Sequence, residues 1–143
     1  MEKFAFILHP LSLQDMEHLS PLMRYIPNPI IEACLKMKKP FKVSHITGIK
    51  SPYAEAEGWF IGCPLTAKQM VELPEEFVMD RIIESGKVAQ ELGAKIVGLG
   101  AFTSIVGDAG ITVAKNLDIA VTSGNSYTVA TAIQGTKQAA RMM

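Results

Sequence analysis

One segment constrains the fold of this chain more than any other, the run from Pro74 to Leu99. Pro74 stands at a helix start, Glu75 and Glu76 occupy the first turn, and Val78, Ile82, Ala89 and Leu92 recur at helical spacing. Gly93 closes the helix. Ala94, Ile96, Val97 and Leu99 follow with no linker, in an apolar run too short to be a helix of its own. A helix that feeds straight into a buried strand is half of a β/α repeat. It predicts an α/β fold with a mostly parallel sheet flanked by helices, and leaves a mixed sheet open.

At 143 residues, 48% hydrophobic and 20% charged, the chain is one ordinary globular domain with enough material for a core. Fourteen basic side chains balance fourteen acidic ones, which argues against nucleic acid or an anionic membrane surface as the main partner. No run approaches the length of a spanning helix, and MEKFAFILHPLS turns polar too early for a secretory signal. Two cysteines, Cys34 and Cys63, make no disulfide framework, so a cytoplasmic location is expected. His9, His18 and His45 lack ligand-like spacing, and no metal site is expected.

The other elements follow from local pattern. Phe4 to Leu8 reads as a buried opening strand, and His9-Pro10-Leu11 turns out of it. Ser12 and Asp15 make a capping-box pattern for a helix carrying Leu13, Met16 and Leu19, which Pro21 stops. In Pro27-Asn28-Pro29, Asn28 is expected to cap a helix with Pro29 at its first position and Ile30, Ile31, Cys34, Leu35 and Met37 on its apolar side. Lys36, Lys38 and Lys39 then suit the negative end of its dipole. Phe41–Ile49 and Gly58–Cys63 read as strands, paired as a hairpin or within a mixed sheet, and Thr66 with Gln69 forms a second capping box. The last helix is expected from about Ser126 to Met143, with small residues at Ala130, Ala132, Gly135, Ala139 and Ala140. No stop signal closes it. The expectation is a piece of a longer protein, with residues 1–125 as a substrate-binding domain and 126–143 as the start of a connecting helix.

Candidate site residues lie between Ala94 and Thr131. The first strand delivers Phe102, Thr103 and Ser104 at its carboxyl end; a second, Asp118–Val121, delivers Thr122, Ser123, Gly124 and Asn125 into the last helix. Ligands of open α/β sheets collect at such edges, where helix N-termini also point. These side chains are neutral donors and acceptors, fit to hold a carbonyl, a carboxylate or an amide, with no strong general base among them. Helix capping by Asn125 or Ser126 is the plainer alternative. Gly98-x-Gly100 resembles the start of a dinucleotide fingerprint, but Thr103 replaces the third glycine and Gly107 and Gly110 interrupt any following helix. Cys63, within Ile61-Gly62-Cys63-Pro64, has no evident base beside it and reads as a structural thiol; the eight methionines read mainly as core filler.

Leu99-Gly100-x-Phe102-Thr103-Ser104-Ile105, followed by Thr122-x-Gly124-Asn125-x-x-Thr128, resembles the amino-terminal domain of cyanobacterial-type long-chain acyl-[acyl carrier protein] reductases. Relatives of that group carry the label predicted amino-acid dehydrogenase. The resemblance covers about the last third of the chain, with weaker echoes at Phe4–Ser12 and around Cys63. It implies an amino-acid-dehydrogenase-like N-terminal domain in a protein that reduces acyl thioesters to aldehydes with NADPH, or NADH, through an acyl-cysteine. The nucleotide and that cysteine would belong to a C-terminal Rossmann domain beyond Met143, so no catalytic or cofactor-binding residue is expected in this chain. Thr103, Ser104, Thr122, Ser123, Gly124, Asn125 and Thr128 would be its substrate-binding residues, with an acyl thioester and acyl carrier protein as partners and a homo-oligomer left open. More distantly, the strand–Thr-Ser and Gly-Asn–helix arrangement is similar to shikimate-dehydrogenase-type substrate domains. Those place a lysine after the strand motif where this chain has Val106-Gly107-Asp108, so their proton chemistry is not implied. Two other readings stand beside this one: a stand-alone module binding a small molecule or carrier protein, and an independent nucleotide-binding domain.

Overall fold

The computed structural model describes residues 1–14 and 25–142. Strand β1 (Glu2–Leu8) is followed, beyond the undescribed stretch, by helix α1 (Asn28–Met37) and the strands β2 (Phe41–Lys50) and β3 (Glu55–Gly62). Helices α2 (Ala67–Glu72) and α3 (Glu75–Glu91) then lead to β4 (Ile96–Leu99). A 3-10 turn (Ala101–Ser104), helix α4 (Ile111–Lys115), strand β5 (Ala120–Thr122) and helix α5 (Asn125–Met142) complete the chain. The five strands form one sheet in the order β2-β3-β1-β4-β5. Strand β2 is antiparallel to β3, and every other neighbour is parallel. The fold is therefore α/β with a mixed, mostly parallel sheet, and β2 and β3 are at once a hairpin and its edge.

The core lies on one side of this sheet. Ala5 and Ile7 of β1, Trp59 and Ile61 of β3, and Val97 and Leu99 of β4 point the same way and are buried. Val78, Ile82 and Ala89 of α3 pack against them, with Met70 of α2 and Val113 of α4. The helix stripe expected from 3.6-residue periodicity is thus the buried one, with Leu92 partly buried. Gly93 takes φ +87°, a left-handed turn that a side chain would strain, and lets the chain enter β4 at once. The Thr66–Gln69 capping box forms in full. Gln69 also donates from Nε2 to the Glu32 carbonyl at 3.0 Å, which ties α1 to α2.

Four local expectations are corrected. Asn28 does not cap α1: the helix already includes it, Pro27 holds the cap position, and no side chain caps there. Of the apolar residues on α1, Ile31 and Leu35 are buried, while Ile30, Cys34 and Met37 are exposed. Asp118 lies outside β5 because its N–H donates to Gln90 Oε1 at 2.9 Å, while Gln90 Nε2 donates to Asp118 Oδ2 at 3.0 Å. That side-chain clamp takes the place of a ladder bond. Thr122 belongs to the strand itself, paired with Gly98. The capping box expected from Ser12 to Asp15, with Met16, Leu19 and Pro21, falls outside the described residues.

Candidate site at the carboxyl edge of the parallel strands

Strand β1 is the centre of the sheet. The chain leaves it for β2 and β3 on one side, then crosses to β4 and β5 on the other. The loops after β1 and β4 therefore diverge, and that is where open α/β sheets form a ligand crevice. Register sets what meets there: Ile7 pairs with Leu99 and Gly98 with Thr122, so His9, the turn after β4 and the segment after β5 share one edge.

A contact invisible in the sequence joins two of these loops. His9 Nε2 accepts the Phe102 N–H at 3.2 Å, and its ring stands edge-on to Phe102 with centroids 5.8 Å apart. Its Nδ1 lies 3.1 Å from the Pro10 carbonyl, so one tautomer satisfies both bonds, Nδ1 donating and Nε2 accepting. The turn it holds begins at Ala101, a non-glycine at φ +48°. Such a conformation persists where its surroundings fix it. The sequence signal was a histidine directly after an apolar strand and before proline, and metal-ligand spacing was the wrong test for it.

The predicted residues separate into two sets. Thr103 is buried and donates from Oγ1 to the Gly100 carbonyl at 2.8 Å, so its side chain holds the turn. Ser104 donates to the Ala101 carbonyl at 2.7 Å from a more open position. Thr122 Oγ1 accepts the Gly124 N–H at 3.1 Å, and Thr128 Oγ1 donates to the Gly124 carbonyl at 3.2 Å. Both hydroxyls thus shape the entry to α5. Gly124, at φ +75°, makes the reversal. Asn125 is the first residue of α5, one earlier than the pattern predicts, and Ser126 the second, so neither stands at the cap position. Asn125 and Ser126 are exposed and Ser123 half-buried. Among the described residues, no hydrogen bond engages the Asn125 amide. With the first-turn N–H groups of an 18-residue helix, it forms a neutral donor array at the partially positive end of a dipole.

Cys63 and Asp108 are otherwise engaged. Cys63 is fully buried, and desolvation, the dominant cause, pushes its thiol from an ordinary 9.0 up to about 11 despite a hydrogen bond with Ser85. A thiol held so firmly protonated is a poor nucleophile. Asp108 is held below its usual range, first by the Thr112 N–H and then by the Thr112 hydroxyl, which donates at 2.7 Å. Its carboxylate thus anchors the start of α4. Among the described residues no three of His, Cys, Asp and Glu gather as a metal set, and no helix is long and apolar enough to cross a membrane.

Beside this edge, below the loop after β1, lies a cavity of about 500 Å³ lined by Ser12, Gln14, Asn28, Glu32, Thr66 and Lys68 among others. Its lining includes none of the residues between Thr103 and Thr128. The residues present do not fit a dinucleotide pyrophosphate. Gly98 lies within β4, where an added Cβ would come 2.5 Å from the Phe6 ring, and Gly100 packs on the Ile7 carbonyl. The turn that follows is 3-10, with no α-helix starting directly from it to receive a pyrophosphate.

No family model matches the chain. The chain is 32% identical over 139 residues to the aminotransferase PigE of Serratia sp. (strain ATCC 39006). The aligned region is 88% of this chain but 16% of that protein, so the chain spans about a sixth of the curated relative it matches. It is thus related to a domain-sized part of an enzyme.

Proposed function

We propose that residues 1–125 are the substrate-binding α/β domain of an NAD(P)H-dependent oxidoreductase that reduces fatty acyl thioesters, presented on acyl carrier protein, to aldehydes. Residues 126–143 then begin the helix leading to a Rossmann domain that carries the nucleotide and the acylated cysteine. The observation that carries this reading is the unengaged Asn125 amide at the mouth of α5, on the edge where β1 and β4 diverge. There the amide and the first-turn N–H groups orient a thioester carbonyl, while Ser104 and Ser123 meet the amides of a pantetheine arm. His9 keeps the facing turn in place. No step of bond making is assigned to this chain, whose buried Cys63 is unsuited to attack.

The similarity to an aminotransferase supports a second reading, in which the domain holds a carbonyl substrate for amino transfer elsewhere in a larger polypeptide. The two are chemically compatible, because an aldehyde is a carbonyl that an aminotransferase can accept. The full-length product of the encoding gene distinguishes them. NADPH-dependent aldehyde formation from acyl carrier protein thioesters is expected; amination of aldehydes with no thioester reduction would leave the second reading. Asn125→Ser and Asn125→Asp should each lower kcat/KM at least roughly tenfold, about 1.4 kcal/mol, with little change in melting temperature. Near-normal activity in both would remove Asn125 from the site.

A further inference from the structure

No acidic residue lies between Glu32 and Glu55, and Lys36, Lys38, Lys39 and Lys42 crowd the first half of that stretch. All four lysines are exposed, and among the described residues none forms an ion pair, whereas Lys3, Lys50, Lys68, Arg81 and Lys95 each have a carboxylate partner. Glu84, which lines a cavity beside Lys39, is bound to Arg81 at 2.7 Å, and Lys87 offsets Glu91 in the same lining. The end of α1 does not engage the four ammonium groups. Its Lys36 carbonyl accepts from Arg81 Nη2 at 2.9 Å, and the Cys34 and Leu35 carbonyls take the Lys38 N–H. Lys38 Nζ lies 4.1 Å from the centre of the Phe41 ring, and Met37, between two of the lysines, is 83% exposed. Unneutralised cations around an exposed methionine suit an acidic protein surface.

Topology places this cluster. Strand β2 is antiparallel to β3, and its first residue, Phe41, pairs with Gly62, the last of β3. The lysines therefore lie at the carboxyl edge that also carries His9, the turn after β4 and the mouth of α5. The order β2-β3-β1-β4-β5 sets four strand spacings, about 19 Å, between β2 and β5. A pantetheine arm has about 13 bonds from phosphorus to sulfur and extends about 15 Å. A protein seated on the lysines, its arm leaving from about the position of β3, reaches Asn125 along that edge.

We propose that Lys36, Lys38, Lys39 and Lys42 are the docking surface for an acidic protein that delivers the thioester. This rests on the functional reading, which makes that protein the acyl carrier protein, and adds where it sits. A chain of zero net charge with so compact a cluster, centred on an apolar side chain, fits a protein surface better than a phosphate polyanion.

The test titrates the full-length product of the encoding gene with acyl carrier protein, and compares reduction of the carrier-bound thioester with that of the free acyl-pantetheine thioester. The double variant Lys39→Glu/Lys42→Glu should weaken carrier binding and raise KM for the carrier-bound thioester at least about tenfold, with kcat/KM for the free thioester unchanged. Lys36→Glu/Lys39→Glu serves if that variant does not fold. Glutamine at the same positions should do less, and added salt should weaken binding to the parent enzyme. Unchanged binding and KM in the charge-reversed variant overturn the proposal, and the functional reading then stands or falls on reduction of the free thioester. An equal loss on the free thioester also overturns it, since the lysines would then serve the site itself. Lysine-dependent carrier binding with neither thioester reduced upholds the docking surface and removes the functional reading. Tighter binding of a short DNA duplex than of the carrier at the same salt assigns the lysines to phosphates and overturns the proposal.

Discussion

Gly100→Ala tests whether the turn after β4 is held against β1 as closely as the geometry requires. The new Cβ would lie 2.6 Å from the Ile7 carbonyl oxygen and 2.7 Å from Phe6 Cε1. The Phe6 ring sits on the open face and can swing away. The Ile7 carbonyl belongs to the central strand and accepts the Gly100 N–H at 3.2 Å, so relief must part β4 from β1 and lengthen that bond. Overpacking of this kind costs about 1–3 kcal/mol and a weakened backbone hydrogen bond about 1 kcal/mol. The smaller entropy of unfolded alanine returns roughly 0.5–1 kcal/mol. The net loss is about 2 kcal/mol, or about 6–8 °C in melting temperature for a domain of this size. Two variants bracket it. At Gly98 the added Cβ meets only the Phe6 side chain, and alanine there should cost less than about 1 kcal/mol. At Gly135 nothing lies within 4 Å, and alanine should not lower stability. Urea unfolding with a common m-value reads all three. If Gly100→Ala is no more costly than Gly98→Ala, the carbonyl contact does not limit the approach and the argument fails.

Cys63 and Gln69 give two further tests. With its folded pKa raised from 9.0 to about 11, Cys63 stays protonated where the unfolded chain has lost its proton, so its contribution is full below pH 9 and is lost as pH rises toward 11. Thermal unfolding should therefore shift downward across that window, and Cys63→Ala should flatten the shift; in native chain a thiol reagent should modify exposed Cys34 and spare Cys63. Gln69→Leu leaves the Thr66 N–H and the Glu32 carbonyl without their partner and should cost about 2–4 kcal/mol, measured by urea unfolding. A loss below about 0.5 kcal/mol would mean that water replaces the amide.

Local signals in the chain determined most of the fold. Periodicity from Val78 to Ala89, the stop at Gly93 and the apolar run into Leu99 specify a helix and the strand it feeds, because burial on one face acts over a few turns. The Thr66–Gln69 box was legible for the same reason: both partners lie within one helical turn. So was the segment from Thr122 to Asn125 as an entry to a helix. Tertiary structure alone decided the rest. That Thr103 faces inward, that His9 binds Phe102 across 93 residues, and that Gln90 takes the Asp118 N–H all depend on strand order, which no short-range pattern encodes. Strand order also separates Ala5 and Ile7, sealed beneath α3, from Phe4 and Phe6, whose alternate positions on the same strand are equally apolar. The sequence makes both sets apolar; which of them the domain's own helices cover is set by how the crossovers pack.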